Sequence, residues 1–214
     1  MLSSAVHSLA ILASGQGSNF EALALASQRQ EIPARIALLL SDRPDAPVLE
    51  RARRLGIEAR CLPGGRYRTR LEDERPWIAE LESRGVGLVL LAGFMRRLHE
   101  GFLSAFRDRI LNIHPSLLPA FPGLDAVGRA LEHGVRVTGC TVHLVDDALD
   151  GGPILAQSAV EIRDGETRAS LEARIHEVEH RLYPRTVRRY LSEPWRREGR
   201  RIVFGAAALE PVRG

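Results

Sequence analysis

Short apolar runs recur along the chain at residues 8–13, 35–40, 87–92 and 110–113, and the stretches between them carry apolar positions at helical spacing. Runs of this length suit buried strands, and their alternation with amphipathic helices implies a mostly parallel sheet covered on both faces. Helices are expected at 19–27, 46–55 and 70–84. The first follows a glycine turn, and the other two stop at Gly56 and Gly85, where glycine tolerates the left-handed turn that ends a helix. Two longer runs, 137–145 and 153–162, read as strands around a connector at 146–152, and a last helix starts near Thr167. In that helix Leu171, Ile175, Val178 and Leu182 form an apolar stripe with Glu179 on its border. The pattern fits one doubly wound α/β domain, a fold that binds ligands at the carboxyl ends of its strands.

Length agrees: 214 residues suit one large domain. A content of 44% apolar and 27% charged residues supports a buried core and excludes disorder. The apolar runs fall far short of the ~18 residues that span a bilayer, and no export signal precedes the first strand, so a cytoplasmic protein without a membrane partner is expected. Thirty basic residues, all arginine, face twenty-seven acidic ones for a net charge of +3, which does not call for a nucleic-acid partner. The arginine run at 185–201 is broken by Glu193 and Glu198 and reads as a solvated helix face. Cys61 and Cys140 have neither disulfide-framework nor metal-ligand spacing and read as buried thiols.

Three segments carry candidate chemistry. The first strand ends in Ala13-Ser14-Gly15-Gln16-Gly17-Ser18-Asn19, where the glycines permit a sharp turn, Ser18 is placed to cap the next helix, and free amides can receive an anion. The loop lacks the third glycine of a dinucleotide fingerprint and the lysine of a P-loop, so a single phosphate fits better than NAD or ATP; a plain strand-to-helix turn fits equally. In Asn112-Ile113-His114-Pro115, Asn112 and His114 leave the same face of an extended strand that Pro115 then ends. An amide and an imidazole side by side can polarise a carbonyl, although such a triplet alone is commonly a polar turn. In the connector, Asp146, Asp147 and Asp150 precede Gly151-Gly152; an aspartate there can raise a histidine pKa or relay a proton, or simply be solvated.

Together with Gly139-Cys140-Thr141-Val142-His143 and Leu149-Asp150-Gly151-Gly152-Pro153-Ile154, these segments resemble the phosphoribosylglycinamide formyltransferase family in order and spacing from about residue 8 to 191. The resemblance implies a Rossmann-like formyltransferase fold over residues 1–214, with a core at about 8–191 and a C-terminal extension at 192–214. It implies transfer of a formyl group from 10-formyltetrahydrofolate, the co-substrate, to the amino group of glycinamide ribonucleotide in purine synthesis, without a metal. By the same resemblance Asn112, His114 and Asp150 are the catalytic trio: Asn112 and protonated His114 stabilise the tetrahedral oxyanion, while Asp150 keeps the imidazole charged and holds a water for proton transfer. Thr141 and His143 support that site. The amides of Gly17, Ser18 and Asn19 receive the phosphate with Arg70, or its neighbours Arg66 or Arg68, and Glu179 meets the amine end of the substrate. Folate lies beside Met95, Arg96 and Leu98 on one wall and Val145 to Asp147 on the other, with Arg96 approaching the glutamate tail.

One departure stands out: after Pro122-Gly123-Leu124, where many members carry a His-Thr-His-like stretch, this chain has Asp125-Ala126-Val127-Gly128. The tail with Trp195 and the 202–204 patch is expected to form a final sheet edge or a contact in a homodimer, the alternative being a monomer. Methionyl-tRNA formyltransferases need an additional RNA-binding domain and formyltetrahydrofolate hydrolases an N-terminal regulatory domain, so the length of this chain disfavours both. Sugar-nucleotide formyltransferases are expected to lack this phosphate loop. A non-catalytic folate-binding module would leave the trio and the anion loop without a chemical use.

Overall fold

Leu9, Ala10, Ile11 and Leu12 are fully buried, as are Leu88, Val89 and Leu90, because both faces of the sheet they build are covered. The computed structural model describes residues 8–205. Its strands are β1 (Ser8–Leu12), β2 (Arg35–Ser41), β3 (Ala59–Cys61), β4 (Leu88–Leu91), β5 (Ile110–His114), β6 (Val137–Leu144), β7 (Ile154–Glu161), β8 (Trp195–Glu198) and β9 (Arg201–Phe204). Its helices are α1 (Ser18–Gln28), α2 (Pro47–Arg54), α3 (Arg75–Glu82), α4 (Glu100–Ala105), α5 (Ala126–His133) and α6 (Arg168–Ser192). The described strands form one sheet in the order β3-β2-β1-β4-β5-β6-β7-β9-β8.

Alternation along β1 divides the core. Leu9 and Ile11 pack with Phe20 of α1, Val48 of α2 and Tyr183 of α6, whereas Ala10 and Leu12 pack with Trp77 of α3 and Phe102 of α4. Strands β3 to β5 run parallel, and β1 lies between β2 and β4, so the chain leaves β1 in opposite directions on its two sides. That reversal opens a crevice at the carboxyl ends of β1 and β4. From β5 onward β6 and β7 add antiparallel, and β9 rejoins β7 in parallel.

Helix α2 lies within one residue of the expected span and is followed by Gly56 at φ +68°. The helix expected from Arg70 begins instead at Arg75. Arg70 is drawn into a backbone bridge with Arg97, and the first turn forms only where Pro76 presets φ and Asp73 Oδ1 accepts the Arg75 N–H at 3.0 Å. Strand β3 and helix α4 span three and six residues, too few for periodicity to reveal, and the eight-residue α5 was also not expected. Cys61 stands on edge strand β3 and is exposed, contrary to the buried reading; Cys140 is buried, which pushes its thiol up to about 12. The 195–204 segment is the expected sheet edge, while residues 206–214 of the extension lie outside the described residues. No helix among the described residues is long and apolar enough to cross a membrane.

Candidate active site

Strand β5 carries Asn112 and His114 to the crevice, and its antiparallel register with β6 sets Asn112 opposite His143 and His114 opposite Thr141. The β6–β7 connection then folds back and brings Asp150 to the same place. Asp150 adopts a left-handed φ of +49°, which aspartate tolerates better than most residues. Its Oδ2 accepts the Gly123 N–H at 2.7 Å and lies 3.4 Å from His114 Nδ1, while Oδ1 lies 3.7 Å from His143 Nε2.

The two imidazoles have distinct partners. His114 Nε2 donates to the Phe121 carbonyl at 2.9 Å, leaving Nδ1 toward Asp150. His143 Nδ1 donates to the Leu144 carbonyl at 2.8 Å, so Nε2 carries a lone pair and accepts from Asn112 Nδ2 at 3.1 Å. Burial lowers the His143 pKa, in keeping with that neutral acceptor role. The pairing fixes the Asn112 amide and leaves its second N–H for another acceptor. Behind them Thr141 is fully buried. Its hydroxyl donates to the Ser116 carbonyl at 2.7 Å and accepts from Leu118 N–H at 3.1 Å and Gln157 Nε2 at 3.0 Å, tying down the turn that follows His114.

A cavity of about 520 Å³ opens over these groups. Its lining includes Asn112, His114, His143 and Asp150 together with Met95, Arg96, Leu98, Val145, Asp147, Asn19 and Glu179. Gly17 and Thr141 are buried outside this lining, Ser18 opens on a second cleft between α1 and α6, and Arg70 stands outside it.

Glu179 lies deeper than a border position. The buried line of α6 runs Leu171, Ile175, Glu179, Tyr183 and Val187, a four-residue repeat that puts the carboxyl in the stripe itself, whereas Val178 and Leu182 are only partly buried. Glu179 is 2% exposed and accepts one hydrogen bond, from Asn19 Nδ2 at 2.7 Å. Burial pushes its pKa up to about 7, and the Asn19 bond only partly opposes the shift. Asn19 Oδ1 is buried without a partner.

At the β1–α1 loop the expected Ser18 cap is not formed. Ser18 is already the first helical residue, and Gly17 occupies the cap position at φ +78°, so no side chain caps the first turn. Gly17 is doubly constrained, because a Cβ there would stand 2.3 Å from the Val48 side chain. The uncapped amides leave this turn open to an anion.

The Arg96 guanidinium lines the cavity and is also engaged within the protein. Its Nε donates to Asp42 Oδ2 at 2.5 Å and its Nη1 to the carbonyls of Gly64, Tyr67 and Arg70, which pins the 64–70 loop to the sheet. Ser14 joins the same network, donating to Asp42 Oδ1 at 2.6 Å. The neighbouring Arg97, not singled out in the sequence, lines the cavity and donates to the Asp147 carbonyl at 3.4 Å. Arg66 pairs with Glu72 at 2.9 Å, and the Arg70 guanidinium lies 4.0 Å over the Tyr67 ring. In the divergent stretch Asp125 pairs with Arg168 at 2.9 Å on the cavity rim, and a Cβ at Gly128 would meet the Asp125 carboxylate at 2.5 Å. The Asp125–Arg168 pair had no local signal, because Arg168 reaches Asp125 only through the packing of α6.

The formyl transferase family model matches residues 7–187. The chain is 44% identical over 182 residues to phosphoribosylglycinamide formyltransferase of Bacillus subtilis, covering 85% of this chain and 93% of that protein. Among solved structures, glycinamide ribonucleotide transformylase 1 from Symbiobacterium toebii matches with a TM-score of 0.89 and 45% identity over 94% of each chain. Its counterpart from Geobacillus kaustophilus matches with a TM-score of 0.82 and 47% identity over 87% of this chain and all of that one (100%).

Proposed function

The chain belongs to the formyl transferase family, and from that premise we propose that Asn112, His114 and Asp150 carry out transfer of a formyl group from 10-formyltetrahydrofolate to the amino group of phosphoribosylglycinamide, a reaction of purine biosynthesis. The observation that carries the residue assignment is their convergence, from β5 and the β6–β7 connection, in one cavity. The substrate amine adds to the formyl carbon and the carbonyl electron pair moves to oxygen. The unpaired N–H of Asn112 and the Nδ1–H of His114 meet that oxyanion, where fixed donors act without reorganisation. Asp150, beside Nδ1, keeps a proton there and holds the water through which the amine's proton leaves. The carbon–nitrogen bond to the folate then breaks, and its nitrogen regains a proton. His143 is a positioning residue that acts through Asn112.

The remaining cavity suits the two ligands. Met95, Leu98 and Val145 give the cavity lining an apolar component, which suits a pterin ring. The amides of Gly17, Ser18 and Asn19 at the start of α1 receive the phosphate, with Arg70 or its neighbours Arg66 or Arg68 as the cation. Glu179 receives the amine end of the ribonucleotide, where a cationic or hydrogen-bonding partner offsets the cost of its burial. The enzyme works on these two small molecules in the cytoplasm, as a monomer or homodimer, with no metal and no nucleic-acid or membrane partner.

The test follows absorbance of 10-formyltetrahydrofolate with and without the ribonucleotide. Ribonucleotide-dependent deformylation is expected. Deformylation without it would replace the transferase reading with a hydrolase, and silence in both arms would overturn the assignment of the trio.

A further inference from the structure

We infer that the C-terminal β8–β9 hairpin, which lies beyond the span matched by the family model, is a working part of the site: Arg200 at its turn holds the loop that presents Asp150. The loop between β6 and β7 has reason to need a hold. It contains Gly151 and Gly152, and the backbone turns left-handed at Asp150 itself, a conformation that persists only when surrounding contacts enforce it. Two of its hydrogen bonds are internal and travel with it: Ala148 N–H to Asp146 Oδ1 and Gly151 N–H to the Ala148 carbonyl, both 3.1 Å.

Three side-chain bonds tie the loop to the rest of the molecule. Gly123 N–H to Asp150 Oδ2, at 2.7 Å, engages the carboxylate that the chemistry uses, and Arg97 to the Asp147 carbonyl is long at 3.4 Å. Arg200 Nη2 donates to the Gly151 carbonyl at 2.6 Å, a short charge-assisted bond one residue from Asp150. It grips the main chain, so the hold does not draw on the reactive carboxylate. Gly152 next to it is pressed against β6, where a Cβ would stand 1.9 Å from the Leu144 carbonyl. Gly151 is thus the junction between the part of the loop fixed by packing and the part that carries Asp150.

The hairpin is itself well anchored. Trp195 is buried and stacks on Tyr190 at 4.7 Å, and Tyr190 Oη donates to the Asp108 carbonyl at 2.5 Å. Gly205 N–H closes the base on the Pro194 carbonyl at 2.9 Å. Arg201, next to Arg200, pairs with Ile154 at the start of β7, just after the loop, so the sheet ladder sets the turn against it. Arg200 is a positioning residue. Asp150 stands 3.4 Å from His114 Nδ1, and catalytic groups lose rate steeply when displaced by fractions of an ångström.

The catalytic consequence rests on the formyl-transfer reading; the hold on the loop does not. The experiment compares the full-length protein with Arg200→Ala and Arg200→Lys by hydrogen–deuterium exchange over residues 145–153 without ligands, by thermal unfolding, and by steady-state kinetics in both substrates. Arg200→Ala is expected to speed exchange in that segment alone and to lower kcat roughly tenfold to a hundredfold. The KM for the ribonucleotide and the Tm should stay close to wild type, and Arg200→Lys should recover most of the rate. Unchanged loop exchange in Arg200→Ala would overturn the inference, as would faster exchange throughout the sheet with a matching fall in Tm, which is the mark of simple edge bracing. A wild-type protein silent in both kinetic arms, with loop exchange still faster in Arg200→Ala, would sink the transferase reading and leave the hold in place.

Discussion

Asp150, partly buried, and Glu179, buried, are carboxyls lining one cavity, and their surroundings are opposite. Asp150 has an amide donor at 2.7 Å and His114 Nδ1 at 3.4 Å, so its carboxylate is met from within the protein. Glu179 has one neutral amide and is otherwise packed in the apolar stripe of α6. Desolvation therefore dominates at Glu179 and lifts its pKa to about 7, because a charge removed from water must find donors or a cation. On the proposed reading, the difference separates a catalytic group held by the protein from a recognition group completed by its ligand.

The comparison can be broken at either end. The largest effect is expected at the satisfied end: His114→Ala removes the group that Asp150 orients and should lower kcat by about 10³-fold while sparing the ribonucleotide KM. Steady-state kinetics checks this, and wild-type turnover would sink the mechanism. At the other end Glu179→Gln keeps the shape but not the charge, and calorimetric titration should find ribonucleotide affinity weakened about tenfold or more. Unchanged affinity would mean that the carboxyl is not completed by this ligand.

The same substitution sharpens the comparison without any ligand. The folded-state pKa of Glu179 stands above the ordinary glutamate value of 4.5, so the folded state holds a proton that the unfolded chain has released between about pH 4.5 and 7. Stability from this group is complete below that window and is lost as pH rises through it. Urea unfolding should find wild type losing up to about 3 kcal/mol relative to Glu179→Gln from pH 5 to 8. Equal pH dependence of the two proteins would contradict the burial argument. The smallest effect is expected at Gly15, where a Cβ meets nothing within 4 Å: Gly15→Ala should shift stability by less than about 0.5 kcal/mol. Gly17→Val should instead lower Tm sharply, because it combines a left-handed φ with the Val48 clash. A neutral Gly17→Val would remove the geometric reason for glycine in the loop.

Much of this was legible in the chain because the relevant signals are local. The apolar runs marked the buried strands, Gly56 marked the end of α2, and alternation put Asn112 and His114 on one face of β5. Where the reading failed, the deciding partner was distant. Arg70 was pulled from a helix by Arg97, and Ser18 lost its capping place because the turn at Gly17 is shaped around Val48. Glu179 was read as bordering the stripe rather than lying in it, because two helical spacings, three and four, fit the same residues until the sheet selects a face.

The sequence by itself determined the order of strands and helices, the glycine positions at the turns and the residue types able to do acyl-transfer chemistry, since backbone preference and side-chain alternation act over a few residues. Only the tertiary structure decided which groups meet. The β5–β6 register set His143 against Asn112, the β6–β7 connection returned Asp150 to His114, and α6 buried Glu179 under Asn19. The reason is physical. Distances of about 3 Å between residues tens of positions apart are fixed by close packing and by the need to pair every buried polar group, and neither constraint exists until the chain has folded.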